Sequence, residues 1–135
     1  MSLVHLEIPP QSVYVAIVRL AITSLGRAAG LDEERLDDLK IAVSESCANA
    51  VLAARESGVD QPVTVSFTAD DRRLEVVVGD SGSSLEDSGA DANDSQGFST
   101  RRIMSMELLK SLVDELELSP REGGGLQTRL TIRRP

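Results

Sequence analysis

Two periodicities, met in a fixed order, constrain this chain more than anything else in its sequence. From Ser12 to Gly58 apolar residues recur every three to four positions, and from Val63 onward they alternate. The first pattern buries one side only as a helix and the second only as a strand. Val13, Ile17, Leu20, Ala21, Leu25 and Ala28 mark a first helix that Gly30 closes. Asp32 then stands as the N-cap of a second, with Glu33 and Glu34 at the positive end of its dipole. Its apolar stripe is Leu36, Leu39, Val43, Cys47, Ala50 and Val51, and it runs to about Ser57-Gly58. Ahead of both, Met1 to Ile8 alternates and stops at Pro9-Pro10, as an edge strand does.

Val63, Val65 and Phe67, followed across Asp70-Asp71-Arg72 by Leu74, Val76 and Val78, read as two antiparallel strands. After Asp80 the chain is polar, turn-rich and without period as far as Thr100, which is the composition of a mobile lid, placed at about 81–102. Helical spacing returns at Ile103, Met106, Leu109 and Val113. Leu116 to Leu118 and Leu126 to Ile132 alternate again around the turn Pro120 to Gly125. The order strand, two helices, two strands, lid, helix, two strands predicts an α+β fold: a two-layer α/β sandwich whose helices cover one face of a mixed, mostly antiparallel sheet. At 135 residues it forms a single domain, 1–135.

Charge and composition remove several function classes. A net charge of -8 argues against a general affinity for nucleic acid or anionic membranes and favours protein partners with basic or mixed charge. No apolar run approaches the ~20 residues of a membrane span, and Met1 to Pro10 lacks the features of a signal peptide, so a cytoplasmic location is expected. One cysteine and one histidine, Cys47 and His5, exclude an internal disulfide and a Cys/His zinc site. Cys47, on the apolar stripe, is expected to be a buried small hydrophobe.

Chemistry concentrates in Ala42-Val-Ser-Glu-Ser-Cys-Ala-Asn-Ala50, where Glu45 and Asn49 lie four apart and share a helix face distinct from the apolar stripe. Such a pair orients a hydroxyl through the carboxylate and a hard cation through the amide oxygen, or else is a solvated helix face. Asp80-Ser-Gly82 follows a strand directly: a carboxylate able to accept from an exocyclic amine, then a glycine that admits close approach. Alone, that tripeptide is also an ordinary turn.

Together these pieces resemble the GHKL (Bergerat-fold) ATPases, and within them the anti-sigma factor serine kinases of bacterial partner-switching modules. Ser12 to Leu20 is similar to the family's first helix, Leu39 to Val51 to its N box, Leu74 to Gly82 to its first glycine box, and Leu108 to Leu116 to the helix and strand after the second. The resemblance implies ATP and Mg²⁺ as cofactors. Glu45 is then the general base that activates a serine hydroxyl of the protein substrate, Asn49 the Mg²⁺ ligand and Asp80 the contact to the adenine amino group. Gly82 is expected to let the ring lie close to the backbone, and Arg19 to contact the sigma factor and the anti-anti-sigma (STAS) protein; a homodimer is also implied.

Two stretches depart from the family pattern: Asp80-Ser-Gly-Ser-Ser84 lacks the second glycine of the general ATPase box, as in some sigma-kinase members, and the other lies before the third helix. In place of Gly-x-Gly before the third helix stands Ile103-Met104-Ser105, so side chains there are expected to crowd a phosphate. Ser105 and Arg101 are counted with Asn49, Asp80 and Gly82 among the nucleotide-binding residues, with Gly97 as a substitute glycine in a shifted register; ordinary solvation of Arg101 and Arg102 is the plainer alternative. Met104 and Met106 are expected in core and lid packing. The leading expectation is an ATP-dependent serine kinase that sequesters a sigma factor. A non-catalytic anti-sigma module with a degenerate pocket is the alternative, and a nucleotide sensor without a sigma partner the third.

Overall fold

The computed structural model describes residues 2–82 and 96–134. The lid expected at 81–102 falls largely on 83–95, outside the described residues; its last part, from Gln96, is helical. Strand β1 (Ser2–Ile8) leads through a short 3-10 turn, Ser12–Tyr14, into helices α1 (Val15–Ala28) and α2 (Glu33–Ser57). Strands β2 (Val63–Ala69) and β3 (Arg73–Gly79), helix α3 (Gln96–Leu112), and strands β4 (Glu115–Pro120) and β5 (Leu126–Arg133) follow.

The five strands run in the order β1-β2-β3-β5-β4, and every pairing is antiparallel. Val63, Val65 and Phe67 of β2, Leu74, Val76 and Val78 of β3, and Leu130 and Ile132 of β5 join one core with α1, α2 and α3. The opposite face is charged: Arg129 Nε lies 2.9 Å from Glu75 Oε1 and its Nη1 lies 3.3 Å from Glu117 Oε1. This is the expected two-layer sandwich, with a sheet that is antiparallel throughout among the described residues where a mixed, mostly antiparallel one was expected.

Local chemistry explains where the elements begin and end. Asp32 caps α2, its Oδ1 accepting from Arg35 N at 2.8 Å, and Gly58 ends the helix in the left-handed conformation. Between β2 and β3, Asp70 Oδ1 accepts from the backbone N–H of Arg72 and Arg73, which fixes the turn and holds the carboxyl below the usual carboxylate range. Among the described residues no helix is long and apolar enough to cross a membrane.

Helix α1 departs from its expected phase. The residues it buries are Val15, Val18, Ile22 and Gly26, whereas Val13 is 70%, Ile17 54% and Leu20 71% exposed. Apolar residues lie on two sides of this helix, and the sequence stripe selected the outer one. Glycine decides the inner one: a Cβ on Gly26 would stand 2.9 Å from Leu36 and 3.1 Å from Leu39, so α1 meets α2 where no side chain intervenes. Met104 is likewise exposed, contrary to its expected packing, while Met106 is half-buried against the core.

Cys47 is fully buried, and burial pushes its thiol up to about 12. A thiol-specific reagent at pH 8 should therefore leave the native chain untouched and modify it stoichiometrically in denaturant. Because the unfolded thiol ionises first, this group's contribution to stability is intact below the ordinary thiol value and drains away above it. Rapid native-state labelling would contradict this placement.

Candidate nucleotide site and partner groove

Helix α2 carries the site because it is built of small residues. Ala42, Ser46, Cys47, Ala50, Ala53 and Ala54 are all buried, so the helix backbone lies close to the sheet and to the end of β3. Glu45 and Asn49, one turn apart, are half-buried at its edge. Between them sits Ser105 of α3, only 5% exposed. Its hydroxyl donates to Glu45 Oε2 at 3.1 Å and accepts from Asn49 Nδ2 at 2.5 Å. A hydroxyl has one proton, and the carboxylate takes it, so the amide must present its N–H₂ end.

The glycine substitutions thus do more than crowd a phosphate. With Ile103 and Ser105 in place of glycines, α3 starts at Gln96 and runs unbroken past this point. Nine residues of helix before Ser105 place the N-terminal dipole end roughly 13 Å from the Glu45–Asn49 pair. Gly97 falls in the first turn of that helix. Arg101 is exposed one turn before Ser105, at ~6 Å of rise and on the same face, which aligns it with the site.

Asp80, 7% exposed, ends β3 beside Asn49. Its N–H donates to Leu126 O at 3.0 Å, its carbonyl accepts from Arg121 Nη1 at 2.8 Å, and its Oδ1 accepts from Gly82 N at 3.0 Å. The turn joining β4 and β5 clamps it further. A Cβ on Gly125, whose φ is +90°, would meet Asp80 O at 1.9 Å, and one on Gly79 would meet the Arg121 guanidinium at 3.0 Å. Sequence reading missed Arg121 and Gly125; the run Gly123-Gly-Gly125 in a hairpin turn was the available signal.

Gly82 has a different task from the one expected. A Cβ there would lie 2.5 Å from Ala53 O, and Ser57 Oγ donates to Gly82 O at 2.6 Å. Its bare face is therefore turned to α2, not to a ligand. It seats the strand end on the helix and so fixes where Asp80 points.

Asp80, Asn49, Ser46 and Thr128 line one cleft with Ala50, Val78, Met106, Leu109 and Leu118. Its donors and acceptors suit the polar edge of a purine, but its volume is about 20 Å³, space for a single water. Met106 and Leu109 of α3 and Leu118 of β4 form part of its wall. Among the described residues no three His, Cys, Asp or Glu side chains form a metal cluster, so an ion here would depend on Asn49 and on oxygens of its own ligand.

A second space opens on the other side of Glu45. A groove of about 500 Å³ between α1 and α2 is lined by Ser12, Val15, Arg19, Lys40, Ile41, Ser44, Glu45 and Ala48. Arg19 Nε donates to Ser44 Oγ at 2.8 Å, and that hydroxyl donates to Lys40 O at 2.7 Å. The arginine expected at a partner surface and the glutamate expected at the chemistry thus border one groove.

Residues 8–132 match the family model of the histidine kinase-like ATPase domain. The serine-protein kinase RsbW of Bacillus pumilus is 33% identical over 132 residues, which cover 90% of this chain and 81% of that protein. RsbW of Listeria monocytogenes is 32% identical over 133 residues, 89% of this chain and 81% of that one. RsbW of Bacillus subtilis is 37% identical over 83 residues, 62% of this chain and 52% of that protein. Among solved structures, the RsbU and RsbW domains of Rv1364c from Mycobacterium tuberculosis superimpose on 100% of this chain and 34% of theirs with a TM-score of 0.73; at 20% identity this is a likeness of fold.

Removing the Ser105 hydroxyl tests the bridge directly. Ser105→Ala should lower the stability of the free chain by about 1–2 kcal/mol, because Glu45 and Asn49 lose a shared partner. The same substitution should tighten Mg-ATP binding several-fold. Urea unfolding and titration calorimetry measure the two; unchanged stability together with unchanged affinity would mean that the bridge holds nothing.

Proposed function

The chain belongs to the histidine kinase-like ATPase family, and from that premise we propose that it is a cytoplasmic anti-sigma factor that sequesters a sigma factor and phosphorylates a serine of its anti-anti-sigma, STAS-type antagonist at the expense of ATP. The observation that carries this reading is the place of Glu45. It borders the α1–α2 groove, open to a protein segment, and already holds a serine hydroxyl at 3.1 Å on its other side.

When bound, Mg-ATP supplies the transferable phosphoryl group and the charge that neutralises it; Asp80 would hold the adenine amine, Asn49 the ion, and Arg101 the phosphates. The chain's own contribution is positioning and one proton transfer. A serine hydroxyl entering from the groove would hydrogen-bond Glu45 and give its proton to that carboxylate as its oxygen takes the phosphoryl group and ADP departs with the electron pair of the broken P–O bond. Arg19 and Lys40 supply positive charge along the groove of an otherwise acidic chain, which favours a segment carrying carboxylates. Ser105 occupies only Oε2 of Glu45, which leaves the second carboxylate oxygen to receive the acceptor hydroxyl.

The exposed row Val13, Ile17 and Leu20 beside this groove supports a protein partner on α1: the sigma factor, the antagonist, or a second copy in the expected homodimer. Basic and apolar groups together form such a surface.

Glu45→Gln keeps the size of the side chain lining the groove but accepts no proton. It should reduce transfer to the antagonist by about 10²–10⁴-fold and leave sigma capture intact. Arg19→Ala should do the reverse to binding, weakening capture of both proteins with ATP affinity unchanged. Asp80→Asn should weaken ATP binding by about tenfold, as the amide presents a donor where an acceptor is needed. A phosphate-transfer assay run beside pull-downs and calorimetry reads all three. Sigma capture by the unaltered chain without any transfer would make it the non-catalytic module instead.

A further inference from the structure

Among the described residues, Ser46 is the side chain lining the cleft whose buried polar atom gains no hydrogen bond. It is 4% exposed, and its hydroxyl has no hydrogen-bond partner among the described residues. A serine in a helix has an easy remedy, the carbonyl one turn back. Ser44 in the same helix takes it, donating to Lys40 O at 2.7 Å, and Thr23 in α1 does so with Arg19 O at 2.7 Å. Ser57 and Ser111 also find carbonyls. Ser46 instead lines the cleft that Asn49, Asp80 and Thr128 border, one helical turn before Asn49 and Ala50. A buried hydroxyl left without a partner in a folded chain calls for an explanation, and a ligand that completes it is one.

We infer that Ser46 reads the nucleotide base: its hydroxyl donates to the ring nitrogen N1 of adenine while Asp80 accepts from the neighbouring exocyclic amine. The inference rests on the nucleotide site proposed above and adds a residue to it. The chemistry follows from the two groups. Adenine presents a donor and an acceptor side by side, and a carboxylate answers only the donor. The acceptor needs an O–H or N–H, and Ser46 supplies a hydroxyl whose proton no atom of the described residues claims. A base with a carbonyl at the amine position would set an oxygen against the Asp80 carboxylate, so the two residues together favour adenine over guanine.

A purely structural serine and a base-reading one respond oppositely to Ser46→Ala. Losing an unsatisfied hydroxyl should leave the free chain as stable or more so in urea, while ATP binding weakens about 5–10-fold. Titration calorimetry with ATP and with its 1-deaza analogue, in which carbon replaces N1, completes the cycle. The unaltered chain should bind the analogue about 5–10-fold more weakly than ATP, and the Ser46→Ala chain should bind both alike. Equal binding of ATP and 1-deaza-ATP by the unaltered chain would overturn the inference even if the variant failed to fold. ATP affinity unchanged by Ser46→Ala would overturn it as well. If the unaltered chain binds no ATP, the nucleotide site itself fails and this inference falls with it; ATP binding that ignores N1 defeats this inference alone.

Discussion

The rest of the structure depends on how closely α2 approaches the sheet. Six small residues on its inner side, Ala42, Ser46, Cys47, Ala50, Ala53 and Ala54, leave its backbone within reach of the chain that follows β3. Gly82 can then rest on the backbone of Ala53 and Ala54, and Asp80 is carried into the cleft beside Asn49. The same economy on the other side, where Gly26 lets α1 sit against Leu36 and Leu39, brings Arg19 to Ser44 and opens the groove on which Glu45 borders. One helix thus serves two spaces, and the functional side chains occupy the narrow margin between them.

Much of this was legible because it depends on local chemistry. The Asp32 cap, the Gly58 stop, the Asp70 turn and the alternation of β2 and β3 are each dictated by a few neighbouring residues, and each stands where the sequence puts it. The Glu45–Asn49 spacing is equally local, and it does place both groups on one edge. What the sequence concealed is set by distant segments. Helix α1 has apolar residues on two faces, and only packing against α2 decides that Val18 and Ile22 go inside and Ile17 and Leu20 outside. Ser105 and Asn49 stand 56 positions apart, so no window of sequence reveals their bond. Gly82 was read as a gap for a ligand because its true neighbour, the carbonyl of Ala53, lies on another element.

Ser105 gives the site two chemical states. With its hydroxyl between Glu45 and Asn49, the carboxylate has a partner and the amide shows its N–H₂ end, an arrangement satisfied within the protein. Opening it exposes the carboxylate and frees the amide to turn. Any ligand that needs the open form has its apparent affinity reduced by the fraction of chains that are open, and each 1.4 kcal/mol held in the closed form costs about tenfold. Ser105, standing where the family pattern has a glycine, is what supplies this bridging hydroxyl.

The sheet order has a consequence for how the molecule comes into being. In β1-β2-β3-β5-β4 the strand made last is an interior one, paired on both sides, to β3 and to β4. During synthesis β3 therefore has an open edge and β4 has no neighbour until Leu126–Arg133 has been made. The Arg121 clamp and the Leu126 carbonyl that hold Asp80 arrive at the same late moment. A ribosome-bound chain of this domain can form its helices early, but it carries an exposed strand edge and no finished cleft until the last strand slides between its two partners.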